Sequence, residues 1–173
     1  ILSAIYWVFG FLRMGTTGLV GQAAGAGEDD EVAALLTRAL LIAGAGGLAV
    51  IGLQGPVFAA AFRLSPASAE VEQLARAYLA IRVWSAPAAI AVYGITGWLI
   101  ASERAGGVLA VQATMNGLNV ALDLLFVLGL GWGVEGVAIA TVIAEVSGAA
   151  LGLWLCRGAF AGRAWRDRQR VFD

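Results

Sequence analysis

Residues 112–141 read QATMNGLNVALDLLFVLGLGWGVEGVAIAT: an apolar stretch of helix length interrupted by polar residues, a glycine-rich break, and the opening of a second apolar stretch. On a helix, at about 100° per residue, Gln112, Asn116, Asn119 and Asp123 fall within about 60° of arc. They form one polar stripe, flanked by Val111, Leu118, Val120, Leu122, Leu124 and Leu125. Such a helix is expected to turn its stripe into a bundle or a water-filled cavity, because an Asp near the bilayer centre costs roughly 2.5–3.5 kcal/mol even on the mild insertion scale.

The rest of the chain supports the bilayer as its solvent. Of 173 residues, 60% are hydrophobic and 13% charged, with mean hydropathy +0.83, whereas a soluble domain is about half apolar and about a quarter charged. Histidine and lysine are absent and Cys156 stands alone, so imidazole catalysis, His-ligated metal sites and an internal disulfide are excluded by counting. The net charge of -1 hides an asymmetry: Glu28, Asp29, Asp30 and Glu31 lie near the start, and Arg157, Arg163, Arg166, Arg168 and Arg170 at the end. The chain opens at Ile1 directly into an apolar helix pattern, without the basic n-region of a signal peptide, and is expected to be a fragment.

A span needs roughly 20 mostly apolar residues, and five stretches qualify: 1–24, 36–62, 74–101, 108–130 and 134–156. GAGEDDE (25–31), RLSPASAEVE (63–72), SERAGG (102–107) and GLGWGVEG (129–136) separate them; glycine and proline break helices there. The fold class expected is all-α, a polytopic membrane bundle of about five helices joined by short turns. Residues at four-residue spacing, the small pair Gly148/Gly152 clearly and the row Gly44/Leu48/Gly52 less cleanly, suit close helix packing in lipid. Arg38, Arg104 and the tail arginines fall on one side of this topology and only Arg63 and Arg76 on the other. The first side is therefore expected to be cytoplasmic, with 158–173 a basic cytoplasmic linker.

Other spans offer complements to the stripe. Thr141 and Glu145 are spaced i, i+4; Tyr78, Arg82 and Ser85 are spaced i, i+4, i+7; Arg13, Thr16 and Thr17 lie midway along the first stretch. Only the second stretch is nearly bare, and it is expected to face lipid more than the other four. Hydroxyls and amides in membrane helices also serve as interhelical glue, worth about 0.6 kcal/mol each, a reading that stands for Gln112, Asn116, Thr16, Thr17 and Ser85. Arg82 and Glu145 either form a structural ion pair or reach water. Asp123 has fewer bland explanations. Burial disfavours an ionised carboxylate while water or an approaching cation favours it, so protonation or cation binding serves as a switch between helix packings.

The segments FGFLRMGTTGLVGQAAG (9–25), YLAIRVWSAPAAIAVYGITGWL (78–99), the 112–141 stretch and AEVSG (144–148) closely resemble multidrug and toxic compound extrusion (MATE) transporters, in particular their prokaryotic DinF-like branch. The resemblance runs nearly end to end. It implies twelve helices in two six-helix lobes, with this chain covering the second to sixth helices, residues 1–157 being part of the amino-terminal lobe. The first helix and the second lobe would be the missing partners, and the segment alone is expected not to transport. It further implies a multi-pass inner-membrane antiporter, not an enzyme, exporting amphipathic organic cations against protons or sodium. Ion coupling would fall to Asp123, Asn119, Thr141 and Tyr78, with Gln112, Asn116, Arg82, Glu145 and Arg13 as secondary cavity residues. No cofactor or resident metal is implied beyond the coupling proton, or a sodium ion at Asp123; lipid and small amphipathic substrates are the expected partners, and nucleic acid is not.

Two other readings remain at this point. A lipid-linked oligosaccharide flippase of the same superfamily would prefer a strongly cationic cavity, and Arg13 and Arg82 are the intramembrane arginines available. A non-transporting structural membrane subunit would tolerate Asp123→Asn. A membrane-embedded enzyme lacks a histidine, a Gly-x-Ser-x-Gly elbow and a second aspartate in an apolar span.

Overall fold

A computed structural model describes residues 2–64, 67–167 and 171; Arg168 and Arg170 of the basic tail lie outside the described residues. Every described element is helical. The stretch 1–24 forms two helices, α1 (Leu2–Val8) and α2 (Gly10–Gly25). They part at Phe9, whose N–H donates to the Tyr6 carbonyl and whose carbonyl accepts from the Leu12 N–H, each at 2.9 Å. These three-residue closures tighten the chain into a bend.

Helix α3 (Asp29–Gly52) starts inside the acidic separator rather than at residue 36. Asp29, Asp30 and Glu31 occupy its first turn, where carboxylates meet the positive end of the helix dipole. After a break at Leu53 comes α4 (Gln54–Leu64), with Pro56 in its first turn, where a missing N–H is harmless. Helix α5 (Ala69–Arg82) is capped by Ser68, whose Oγ accepts from the Val71 N–H at 3.4 Å. A tight turn at Val83–Ser85 leads into α6 (Ala86–Ala101). Next come α7 (Ala105–Asp123), a π-helical turn (Leu124–Gly129) and α8 (Gly133–Leu155). Gly131 and Gly133 sit at φ +69° and +55° between them, a left-handed backbone that other residues adopt at a cost of about 1–2 kcal/mol. Phe126 and Trp132 stack across this turn, ring centroids 5.0 Å apart. Among the described residues four units are long and apolar enough to cross a membrane: α3, the run Ala69–Ala101, Ala105–Gly129 and α8.

The centre of the bundle is α6, which packs on α2, α3 and α8 and buries Ile90, Ile95 and Leu99 completely. Without a hydrophobic driving force between helices in lipid, association rests on close van der Waals packing, and small residues supply it. The backbone of Gly47 on α3 lies directly against Pro87 of α6, and a methyl added at Gly97 would come within 2.6 Å of the Arg13 carbonyl oxygen. This corrects two expectations. The nearly bare second stretch is not the outward one: α3 buries Ala33, Ala34, Leu35, Leu36, Ala39, Ala43 and Gly47. Its seam against α6 is built from small apolar residues, so a lack of polar groups says nothing about exposure. The outer helix is α7, whose one buried residue is Val111, whereas α6 buries most of its length. Likewise a methyl added at Gly44 or Gly52 would meet nothing among the described residues, whereas one at Gly148 or Gly152 would run into Met115 or Ile95.

One end of the bundle is tied by side chains reaching helix-terminal carbonyls. The Trp98 indole N–H donates to Val32 O at 3.0 Å and Arg104 Nη1 to Leu155 O at 2.8 Å. Arg38 pairs with Glu31 at 2.8 Å and its Nε donates to Val171 O at 3.3 Å. Arg38, Arg104, Arg157, Arg163 and Arg166 therefore share this end, while Arg63 closes α4 at the other and Arg76 stacks over Phe62 beside it, 4.5 Å from the ring centre.

Candidate ion-coupling site

The polar residues divide into two groups, one on each flank of α8. On the α7 flank, Asn119 Nδ2 donates to Thr141 Oγ1 at 3.1 Å, and the Thr141 hydroxyl donates to Val137 O at 2.8 Å. The threonine proton is thus committed to its own helix, so Thr141 offers Asn119 only a lone pair. That fixes the amide: Asn119 presents its NH2 to Thr141 and keeps its carbonyl oxygen as an acceptor. One turn further on, half-buried Asp123 ends α7, and its Oδ1 is buried with no hydrogen-bond partner among the described residues. The wide π-helical turn begins at the next residue, Leu124; such turns are rare and concentrate at functional sites. No sequence signal marked it.

The four-residue stripe does not stay together as a buried row. Gln112 and Asn116 are exposed, Asn119 and Asp123 half-buried, because α7 leans on α8 through a neighbouring face that includes Met115 and fully buried Val111.

On the α5 flank, Arg82 Nη1 lies 2.6 Å from Glu145 Oε2, with the side chains only 9% and 12% exposed. The same nitrogen donates to Ser85 Oγ at 3.0 Å, and Ser85 donates back to Arg82 O at 2.9 Å. Of the two sequence readings of this pair, the structure has the ion pair. Tyr78, one turn before Arg82, is half-buried and lines with it a cavity of about 410 Å³ that also touches Leu2, Leu79 and Val134. It makes no hydrogen bond to Asp123, Asn119 or Thr141 among the described residues, so the structure brings together three of the four principal residues and sets Tyr78 on the other wall. Arg13 is exposed on α2, its carbonyl accepting from the Thr17 hydroxyl at 2.8 Å.

Sequence reasoning missed Tyr6. Its side chain is buried beside Arg82, Glu145, Tyr78 and Ser85. Nothing in ILSAIYWVFG singles it out, because its relation to Arg82 exists only once α1 packs near α5. Among the described residues the Arg82 Nε is buried without a partner, so this flank holds an unused donor while the α7 flank holds an unused acceptor.

This geometry can be set beside known proteins. The MatE family profile matches residues 1–125. The DNA damage-inducible protein F of Escherichia coli (strain K12) is 36% identical over 177 aligned residues, covering 97% of this chain and 39% of the relative. Among solved structures, a multidrug resistance MATE family transporter of the MOP superfamily in its inward-facing conformation superimposes with a TM-score of 0.82 at 24% identity. An outward-facing conformation of such a transporter gives 0.85 at 21% identity; each covers 98% of this chain and 38% of the solved one. A MOP superfamily transporter from Pyrococcus furiosus, described as having a binding pocket of reversed polarity, gives 0.80 at 24% identity, over 87% of this chain and 34% of its own. The chain thus spans about 39% of the curated relative's length, and its fold is that of part of the twelve-helix, two-lobe MATE transporters. With the family profile covering most of its residues and one ordered set of motifs running along its helices, the chain belongs to the MatE family of integral membrane transporters.

Proposed function

We propose that this chain is part of the amino-terminal lobe of a secondary antiporter that exports amphipathic organic cations in exchange for protons or sodium. Residues 1–157 belong to the lobe, 158–173 form a basic linker on the cytoplasmic side of the inner membrane, and Asp123 is the group that answers the coupling ion. The observation that carries this reading is the Asp123 Oδ1 atom, buried and without a donor among the described residues at the end of α7. A buried carboxylate oxygen left bare is costly, and a proton or a small cation removes that cost. The Asn119 carbonyl one turn earlier, freed by the amide's bond to Thr141, adds a second oxygen of the kind a sodium ion takes. Ion occupancy at this point bears on the α7–α8 contact, since Asn119–Thr141 bridges the two helices one turn away. Alternating access then needs this lobe to move against another. That the same segment superimposes on both an inward-facing and an outward-facing transporter supports its moving as one body.

The test uses the full-length protein in proteoliposomes. Export of a fluorescent organic cation is followed under an imposed proton or sodium gradient, with and without Asp123→Asn. Gradient-driven export that falls at least tenfold in the variant is expected. Export unchanged by the substitution would remove Asp123 from the mechanism.

A further inference from the structure

We propose that the end of α8 is a docking point for the phosphate of an anionic phospholipid, gripped by Arg104 and Arg157 with Trp154 as its anchor in the membrane interface. Arg104 Nη1 donates to Leu155 O at 2.8 Å and Arg157 Nη1 to Trp154 O at 3.0 Å. Those acceptors are successive carbonyls of the last helical turn, so two guanidinium groups are gathered on one helix end, where the dipole favours cations. The Arg157 guanidinium lies 4.2 Å above the Trp154 ring, a cation–π contact that holds it in place. Both arginines are exposed, and Trp154 is 57% exposed.

Each guanidinium carries five N–H donors and commits one here. Neither has a carboxylate partner among the described residues. At the acidic start of α3, at the same end, Glu31 pairs with Arg38, and Asp30 shares a crevice with Arg163, Arg166 and Asp167. Two planar forks with unused donors suit the oxygens of a phosphodiester. The depth is right as well, because the site closes a 23-residue apolar helix, which sets its terminus at the headgroup layer, and tryptophan concentrates at that layer. On the cytoplasmic leaflet, where the arginine distribution places this end, anionic lipids are the phosphates at hand. The inference rests on the membrane-spanning reading and this orientation, and not on ion coupling at Asp123, so its test needs no transport.

Full-length protein in detergent is titrated with phosphatidylglycerol, phosphatidylcholine or soluble glycerol phosphate, and binding is read from the shift in thermal unfolding temperature. Phosphatidylglycerol alone is expected to raise the midpoint. Its affinity should fall about fivefold for each arginine lost and about 25-fold in Arg104→Gln/Arg157→Gln, the weight of a basic residue beside an anionic surface. Arg76→Gln, at the opposite end, should keep it. A loss of fivefold or more in the double variant, measured against Arg76→Gln, supports the site; a smaller loss overturns it, as does an equal response to glycerol phosphate or phosphatidylcholine. Should the double variant not fold, the single variants decide, a threefold loss being the line.

Discussion

The Arg82–Glu145 pair makes the sharpest quantitative demand on the structure. It joins α5 to α8 at 2.6 Å between side chains 9% and 12% exposed, so neither charge is screened by much water. Glu145→Leu strands a buried guanidinium whose one remaining acceptor is Ser85 Oγ, and Arg82→Met strands the carboxylate. Removing one member of a buried pair costs about 3–5 kcal/mol, whereas replacing both with apolar residues of similar size is often neutral or stabilising. Each single variant should therefore lose about 3 kcal/mol or more, and Arg82→Met/Glu145→Leu should recover most of it, with an interaction energy of about 5 kcal/mol or more in a double-mutant cycle. The measurement is equilibrium unfolding of the full-length protein in mixed micelles by denaturing detergent. A loss of 3 kcal/mol moves that equilibrium by two powers of ten, far outside error. Single variants within about 1 kcal/mol of wild type, with no coupling between them, would show that the pair is solvated and the α5–α8 contact held by something else.

Two further outcomes follow from the packing and the amide. Gly47→Ala pushes a methyl into the Pro87 backbone of α6 and should cost about 1–3 kcal/mol. Gly148→Ala meets the Met115 side chain at Cγ and Sδ, which can rotate aside where a backbone cannot, and should cost less than Gly47→Ala; equal costs in the same unfolding assay would refute the α3–α6 contact as described. Thr141→Val removes the acceptor of Asn119 Nδ2 at 3.1 Å and should cost about 0.6 kcal/mol of stability, the average for such bonds between membrane helices. Efflux by this variant should drop by more than so small a stability loss explains; unchanged efflux would mean that orienting Asn119 has no part in transport.

Much of the hairpin that carries Asp123 is readable directly from residues. The apolar runs on either side of GLGWGVEG and the spacing of Asn119 and Thr141 place two helices against each other with complementary groups, and the structure has that bond. The i, i+4 spacings from Tyr78 to Arg82 and from Thr141 to Glu145 likewise put opposite charges on helices that turn out to touch. What the sequence hides is set by neighbours rather than by pattern. A helix apolar on all sides gives no indication of which side is buried, so α3, seated on α6 through alanines and Gly47, reads the same as a lipid-facing helix. The wide turn after Asp123 has no glycine or proline where it begins to announce it, and the bend at Phe9 has only Gly10, one of many glycines within apolar stretches. Tyr6 and Arg82 are 76 positions apart by number, and no local periodicity connects them.

The turn at Leu124–Gly129 gives α7 an asymmetry. A π-helical turn holds one residue more than an α-helix of the same rise needs, so the chain carries a spare peptide unit directly after its half-buried carboxylate. Upstream, α7 is anchored by Arg104 at Leu155 and by Asn119 at Thr141; downstream, Phe126 is clasped by Trp132. The spare unit therefore sits next to Asp123, past the Asn119–Thr141 bond and around Phe126, at the place where the interhelical ties of α7 change from a polar bond to an aromatic stack.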